Sequence, residues 1–417
     1  MSSAAGCAGC SPRRSGPPGV PMARGRPPSA TSPSGTCRSR RAPREPGPAP
    51  GRPRNQHPPR GGRPVKVRRA GRLAAAAFAC AALLAACGGP SGTGGSTAAP
   101  DTGYGTRTVT DCTGTTSTFT APPTRVATVT TSVLEFLLTL GLRDRVVGVQ
   151  AVAPGAFPPD LQQQADALPT LGGEYVPGNF VPVQREQVLT ATPDFVVGGW
   201  PSNFDSTKGA LSQQELAERG IASYFALAAS CTRTGPITDL AVVYQDIENY
   251  GTIFDVQEQA DELISRMRRT VEDVQARIDG APRPKVFTYS LEDGGGNAYS
   301  AGNQFLGNAI IDLAGGRNIF DDVNAVYGEA GWEEVVARNP DVIVLEVFGK
   351  PTQAEFDEAV AKAEAVFTGN PALQNVTAVR ERRFVPVQDE AYYVGGVRNA
   401  EAVETLARSL HPDAFVG

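Results

Sequence analysis

The chain has 417 residues, 41% of them hydrophobic and 20% charged, with a formal charge of −4 that averages two unlike pieces. Residues 1–86 hold 16 of the 39 basic residues and one acid, Glu45, so the remainder carries 23 basic against 42 acidic residues, a balance of −19. An acidic main part argues against nucleic acid or anionic lipid as its partner, and a single histidine there, His411, supports neither a zinc site nor histidine-ligated haem.

Residues 1–64 are rich in Pro, Gly, Arg and Ser without apolar periodicity, so no core can be built from them and disorder is expected. Lys66, Arg68, Arg69 and Arg72 then precede an apolar run, Leu73–Leu84, and the sequence Leu84-Ala85-Ala86-Cys87-Gly88. That order describes a secretory signal over residues 65–86; a membrane span needs about 20 apolar residues. A signal peptide belongs near a chain start, so translation is expected to begin near Val65 or Val67, or at Met22, leaving 1–64 an untranslated extension. The cysteine at the first mature position resembles the bacterial lipobox. The resemblance implies lipidation of Cys87 and anchorage to the outer face of the plasma membrane; the alternative is an ordinary cleaved signal with an incidental cysteine. Residues 87–103 are then a flexible tether. Only Cys112 and Cys231 remain in the exported chain besides Cys87, and two thiols in an oxidising compartment are expected to pair.

From residue 104 onward strands alternate with helices, which predicts an α/β fold with largely parallel sheets covered on both faces. In an N-terminal lobe, 104–235, Val126–Val129 reads as a strand, Leu134–Leu140 as a helix closed by Gly141, and Val146–Val149 as a second strand. A helix over Leu211–Arg219 follows later and leads into a strand over Ile221–Leu227. A linker, 236–282, contains apolar residues spaced by threes and fours from Val256 to Ile278, with no Gly or Pro over 252–279. This predicts one amphipathic helix of about 35 Å. The C-terminal lobe, 283–417, begins with a strand at Lys285–Thr288. It continues with a helix over Leu306–Leu313, a late strand at Phe384–Val387 and a final helix over Asn399–Leu410. A single rigid connecting helix predicts small relative motion of the lobes.

One pattern occurs in both lobes, 147 positions apart: Glu186, Val188, Pro193, Asp194, Val197 and Glu333, Val335, Pro340, Asp341, Val344. Each copy predicts a short helix with its glutamate near the start, ended by Pro-Asp, and a buried strand. Two similar lobes facing a cleft follow from the repetition. The plain alternative for either glutamate is a solvated helix face.

In parallel α/β sheets ligands lie beyond the carboxyl ends of the strands. The loops there hold Thr130, Thr131, Trp200, Tyr289, Phe348, Tyr392 and Tyr393, while Tyr175 and Tyr299 sit in glycine-rich segments that can reach the cleft. Such rings suit a bulky, partly apolar chelate, with Arg398 placed to pair with anionic oxygens; core packing is the alternative for each ring. Trp200 is the leading candidate, because Gly198 and Gly199 leave it in a loop. Enzyme signatures are missing: there is no Gly-x-Ser-x-Gly, and Gly349-Lys350 is followed by Pro351 instead of Ser or Thr.

Pro123-Thr-Arg-Val126, Leu140-Gly-Leu-Arg-Asp-Arg-Val-Val-Gly148, both Glu/Pro-Asp units, Ile311-Asp-Leu-Ala-Gly-Gly-Arg-Asn318 and Leu410-His-Pro-Asp-Ala-Phe415 occur in this order over nearly the whole exported chain. Together they resemble the class III substrate-binding proteins of ABC importers, the group serving ferric siderophores, haem and cobalamin. The resemblance implies two Rossmann-like lobes joined by a single long backbone helix, with the ligand cleft between the lobes. It also implies that Glu186 and Glu333 dock onto arginines of an ABC permease dimer. The expected function is a non-enzymatic, lipid-anchored monomer that captures a ferric siderophore, with cobalamin or haem as the alternative ligand. A redox or metal-chelating enzyme is the alternative in another class. No resident cofactor is expected, and iron would arrive only inside a bound ferric siderophore.

Overall fold

Short runs of β-branched and aromatic residues flanked by Gly, Asp and Pro form the strands, as their propensities dictate. The computed structural model describes residues 103–175, 181–228, 235–290, 298–350, 352–392 and 394–416, which belong to one unit spanning Gly92–Gly417. Cys87 and the signal and tether segments before residue 103 lie outside the described residues.

The N-terminal lobe contains β1 (Arg107–Thr110), β2 (Thr116–Phe119), β3 (Val126–Thr128), α1 (Thr131–Thr139), β4 (Val146–Gln150) and α2 (Pro159–Asp166). β5 (Thr170–Leu171), α3 (Arg185–Thr190), β6 (Phe195–Gly198), α4 (Gln213–Ala217) and β7 (Ala222–Phe225) complete it. Its five-stranded sheet runs β5-β4-β3-β6-β7, with every neighbour parallel. Gly141 ends α1 at φ 75°, a left-handed conformation that glycine adopts without strain.

Two helices connect the lobes, α5 (Ala241–Phe254) and α6 (Gln257–Arg277). The expected helix from Val256 to Ile278 corresponds to α6, but it is not the single connection: Ala241–Phe254 form α5 before it, and Asp255 turns the chain at φ 60°. At 21 residues α6 spans about 32 Å. Its buried stripe is Ala260, Leu263, Ile264, Met267, Val271 and Val274, and each larger member contributes roughly 1.5–3 kcal/mol by leaving water.

The C-terminal lobe contains β8 (Lys285–Ser290), β9 (Ala298–Ala301), α7 (Leu306–Leu313), β10 (Arg317–Asn318), β11 (Tyr327–Ala330) and α8 (Trp332–Arg338). β12 (Val342–Val347), α9 (Gln353–Thr368), α10 (Thr377–Arg380), β13 (Phe384–Gln388), α11 (Asp389–Tyr392) and α12 (Asn399–Leu410) follow. Its main sheet is parallel, ordered β10-β8-β12-β13, and β9 pairs antiparallel with β11.

One apolar cluster runs from Val126, Phe195 and Val197 through Tyr250 and Ile264 to Val286, Val344 and Leu406, so both lobes and the connecting helices share a core. Separate clusters cover the far face of each sheet, around Val188 and Val196 in one lobe and around Phe287 and Val335 in the other.

Candidate ligand cleft and docking surfaces

At the carboxyl edge of the N-terminal sheet the chain after β6 is folded by Asn203. Its side-chain carbonyl accepts from Thr130 Oγ1 at 2.6 Å, Gly199 N–H at 3.1 Å and Trp200 N–H at 2.8 Å, while its amide donates to Val129 O at 2.8 Å. A buried amide satisfied on both sides fixes its neighbourhood, and here it ties the ends of β3 and β6 together. Trp200 emerges from this knot partly exposed. At the end of the neighbouring strand β7, Asp246 of α5 accepts from Tyr224 Oη at 2.6 Å and from the N–H groups of Leu227 and Ala228 at 2.8 Å, holding the chain that leaves β7. Ala228 meets the other lobe: a Cβ on Gly395 would stand 2.1 Å from its own Cβ, so only glycine fits there.

Three of the expected ligand contacts are corrected. Tyr289 lies inside β8, which continues to Ser290, two residues beyond the expected end. Alternation along the strand then directs its ring outward with Phe287, against Phe367 at 4.9 Å and Trp332 at 6.0 Å, in the far-side cluster. Tyr392 is fully buried, its hydroxyl 3.2 Å from Thr288 Oγ1. Burial, then the nearby Glu346 carboxylate, pushes its phenol well above the ordinary range.

Arg398 is committed elsewhere. Its Nε donates to Glu135 Oε1 at 2.6 Å, and its Nη2 donates to Glu135 Oε2 at 3.2 Å and Ala156 O at 2.8 Å. Glu135 is 1% and Arg398 7% exposed, so this forked ion pair joins the lobes in the interior and offsets the guanidinium charge there, with Nη1 turned to Gln388 Oε1 at 3.4 Å. Gln388 adds a donation to Gly155 O at 3.0 Å.

Tyr175 is half-buried against the shared core. The backbone of Tyr299 pairs opposite Glu329 in the β9–β11 ribbon, and its side chain lies outside the described residues, as does Tyr393. Thr130 is buried, and Thr131 and Phe348 are partly exposed. Cys112 is disulfide-bonded; Cys231, the expected partner, lies outside the described residues.

Glu186 and Glu333 are both exposed in the first turns of α3 and α8. The helices pack inward through the valines of the repeat, Val188 at 2% and Val335 at 1% exposure.

Asn203, Asp246 and Glu135 were not anticipated from the sequence. A usable signal existed for Glu135: an acid inside the apolar run Val133-Leu134-Glu135-Phe136-Leu137 must find a cation once the helix is buried.

The profile of the family described as periplasmic binding protein matches residues 126–391. An uncharacterized ABC transporter substrate-binding lipoprotein, YvrC of Bacillus subtilis, is 25% identical over 82% of this chain and 97% of its own length. A cobalamin-binding protein of Halobacterium salinarum is 28% identical over 72% of this chain and 73% of its own. Among solved structures, a periplasmic binding protein from Veillonella parvula superposes with a TM-score of 0.63 at 26% identity, over 74% of this chain and 98% of that one. A protein of an ABC-type Fe3+-hydroxamate transport system from Saccharomonospora viridis reaches 0.61 at 24% identity, over 73% and 98%, a likeness of fold.

Proposed function

The chain belongs to the periplasmic binding protein family, and from that premise we propose that it is the extracytoplasmic substrate-binding protein of an ABC importer, taking a bulky metal chelate of little net charge. A ferric siderophore of the neutral hydroxamate type is the first reading. The observation that carries it is the fate of Arg398: the cation best placed for an anionic ligand is closed off by Glu135, while Trp200 stands partly exposed at the cleft edge. A polyanionic catecholate chelate would need cationic partners to offset its desolvation, whereas a neutral chelate needs chiefly an apolar face and a few hydrogen bonds. A corrinoid is the second reading, favoured by the identity shared with the cobalamin-binding protein of Halobacterium salinarum. No resident cofactor enters either reading, and the metal arrives inside the ligand.

The test is a fluorescence titration of the Trp332→Phe variant, in which Trp200 is the one remaining tryptophan. A ferric trihydroxamate should quench it saturably. Saturation by cyanocobalamin alone selects the corrinoid reading, tighter binding of a ferric triscatecholate overturns the neutral-ligand argument, and haemin serves as the remaining comparison. The lipid anchor at Cys87 is supported by the lipoprotein name of the Bacillus subtilis relative; Cys87→Ser should move the protein from the membrane fraction to the soluble one.

A further inference from the structure

The two helices of the repeated pattern, α3 and α8, are fixed to their sheets by the same device, and it involves residues outside that pattern. In the N-terminal lobe Asp194 N–H donates to Arg125 O at 2.9 Å, and the Asp194 carboxylate accepts Arg125 N–H at 2.9 Å. In the C-terminal lobe Asp341 N–H donates to Lys285 O at 2.8 Å, and its carboxylate accepts Lys285 N–H at 2.8 Å. The strand registers that follow are equivalent, Val126 opposite Phe195 and Val286 opposite Val342. The residues before the two prolines also match: Thr192 has φ 47° and Asn339 φ 46°.

The side chains of Arg125 and Lys285 then turn to the same target. Arg125 donates through Nε to Thr192 O and through Nη2 to Ala191 O, each at 2.7 Å; Lys285 Nζ donates to Arg338 O at 2.7 Å. The last carbonyls of a helix lack intrahelical partners, and the dipole favours a cation beside them. These helices have six and seven residues, too few to be stable alone, and among the residues of each helix one side chain, Val188 or Val335, is buried. Leu189 in one helix and Trp332 and Val336 in the other pack partly buried against the same clusters, and the cations add a tie at each carboxyl end. Glu186 and Glu333 project from the opposite ends.

We propose that Arg125 and Lys285 are positioning residues for permease docking, each pinning the carboxyl end of a docking helix so that the glutamate at its amino end is held at a fixed place on its lobe. The proposal rests on the reading of the chain as the binding protein of an ABC importer and on the docking role that the family resemblance implies for Glu186 and Glu333. A glutamate on a swinging helix would meet its arginine only part of the time, and association would weaken without any change at the cleft.

The experiment compares the full-length protein, Arg125→Met/Lys285→Met, the swap Arg125→Lys/Lys285→Arg, and Glu186→Arg/Glu333→Arg, each in cells lacking the native copy. Amide exchange in residues 186–192 and 333–339 should quicken roughly tenfold in the methionine variant. Its Tm and its affinities for a ferric trihydroxamate and cyanocobalamin should stay unchanged, and uptake should require several-fold more chelate. The swap, which keeps both cations, should restore uptake. Unaltered exchange and uptake in the methionine variant, with uptake lost in the arginine variant, overturn the positioning role alone. Normal uptake in the arginine variant removes the docking reading itself, and the proposal with it. A loss of uptake that follows a lowered Tm and resists the swap makes these cations ordinary structural residues and overturns the proposal.

Discussion

Asn203 commits its whole amide to the carboxyl edge of the N-terminal sheet, and the backbone of Trp200 is held by it. Trp200→Ala should weaken chelate binding by about 1–3 kcal/mol, the range for truncating an aromatic anchor, with little change in Tm. Asn203→Ala should cost about 1–3 kcal/mol of stability as well, since buried donors lose their acceptor; paired titration and thermal melts separate the two effects. Equal affinity in a folded Trp200→Ala variant would return that ring to ordinary packing. Three buried phenols behave differently. Burial first, with the Asp246 carboxylate second for Tyr224 and Tyr250, raises their ionisation above the ordinary range, and Tyr392 is raised likewise beside Glu346. The folded state holds the neutral form. Their contribution is therefore complete below the unfolded value of about 10 and is lost as pH rises through the raised values. Tyrosinate absorbance should show these three silent until alkaline unfolding, detected by circular dichroism; ionisation at the ordinary pH in a folded protein would contradict their burial.

Elements with one strong apolar face were legible. The expected ranges of α7 and α12, Leu306–Leu313 and Asn399–Leu410, coincide with those observed, because buried stripes and terminal Gly or His-Pro define both. Three other elements gave no such signal. The β1–β2 hairpin is threonine-rich and shows mostly polar residues; Asp111 in its turn ties it to β7 by accepting Phe225 N–H at 3.0 Å. Helix α9 buries only Ala363 and Phe367, too narrow a stripe for periodicity to reveal. The break between α5 and α6 falls on Asp255 in a left-handed conformation, where neither Gly nor Pro marks it. Among the expected ligand contacts, the glycines before Trp200 correctly put it beyond the strand, which ends at Gly198, whereas the fates of Tyr289 and Arg398 depended on two extra strand residues and on an acid 263 positions away. The hairpin of α5 on α6 carries its own test. A Cβ at Gly251 would lie 2.8 Å from that of Ala260, so Gly251→Val should destabilise by about 1–3 kcal/mol through overpacking. Adding Ala260→Gly should recover part of that loss in urea denaturation, and no recovery would place the strain elsewhere.

At the scale of the molecule, the shared core and the Arg398–Glu135 pair bind the lobes to each other. Glu135→Leu strands a buried guanidinium and should cost about 3–5 kcal/mol, whereas Glu135→Leu/Arg398→Met, which removes both charges, should return most of it. Denaturation of the two variants checks the pair; equal losses would mean that shape, not charge, holds the contact. With the pair intact, fluorophores on the two lobes should register little change in separation when a chelate binds.

If the shared core keeps the lobes from closing on a ligand, an empty receptor would have nearly the outline of a loaded one. On the proposal that Glu186 and Glu333 dock a permease, a permease reading those glutamates alone would not tell cargo from vacancy, and unloaded copies would compete for it. Transport at a fixed chelate supply should therefore pass through a maximum as the receptor becomes more abundant on the membrane, and then decline through self-competition.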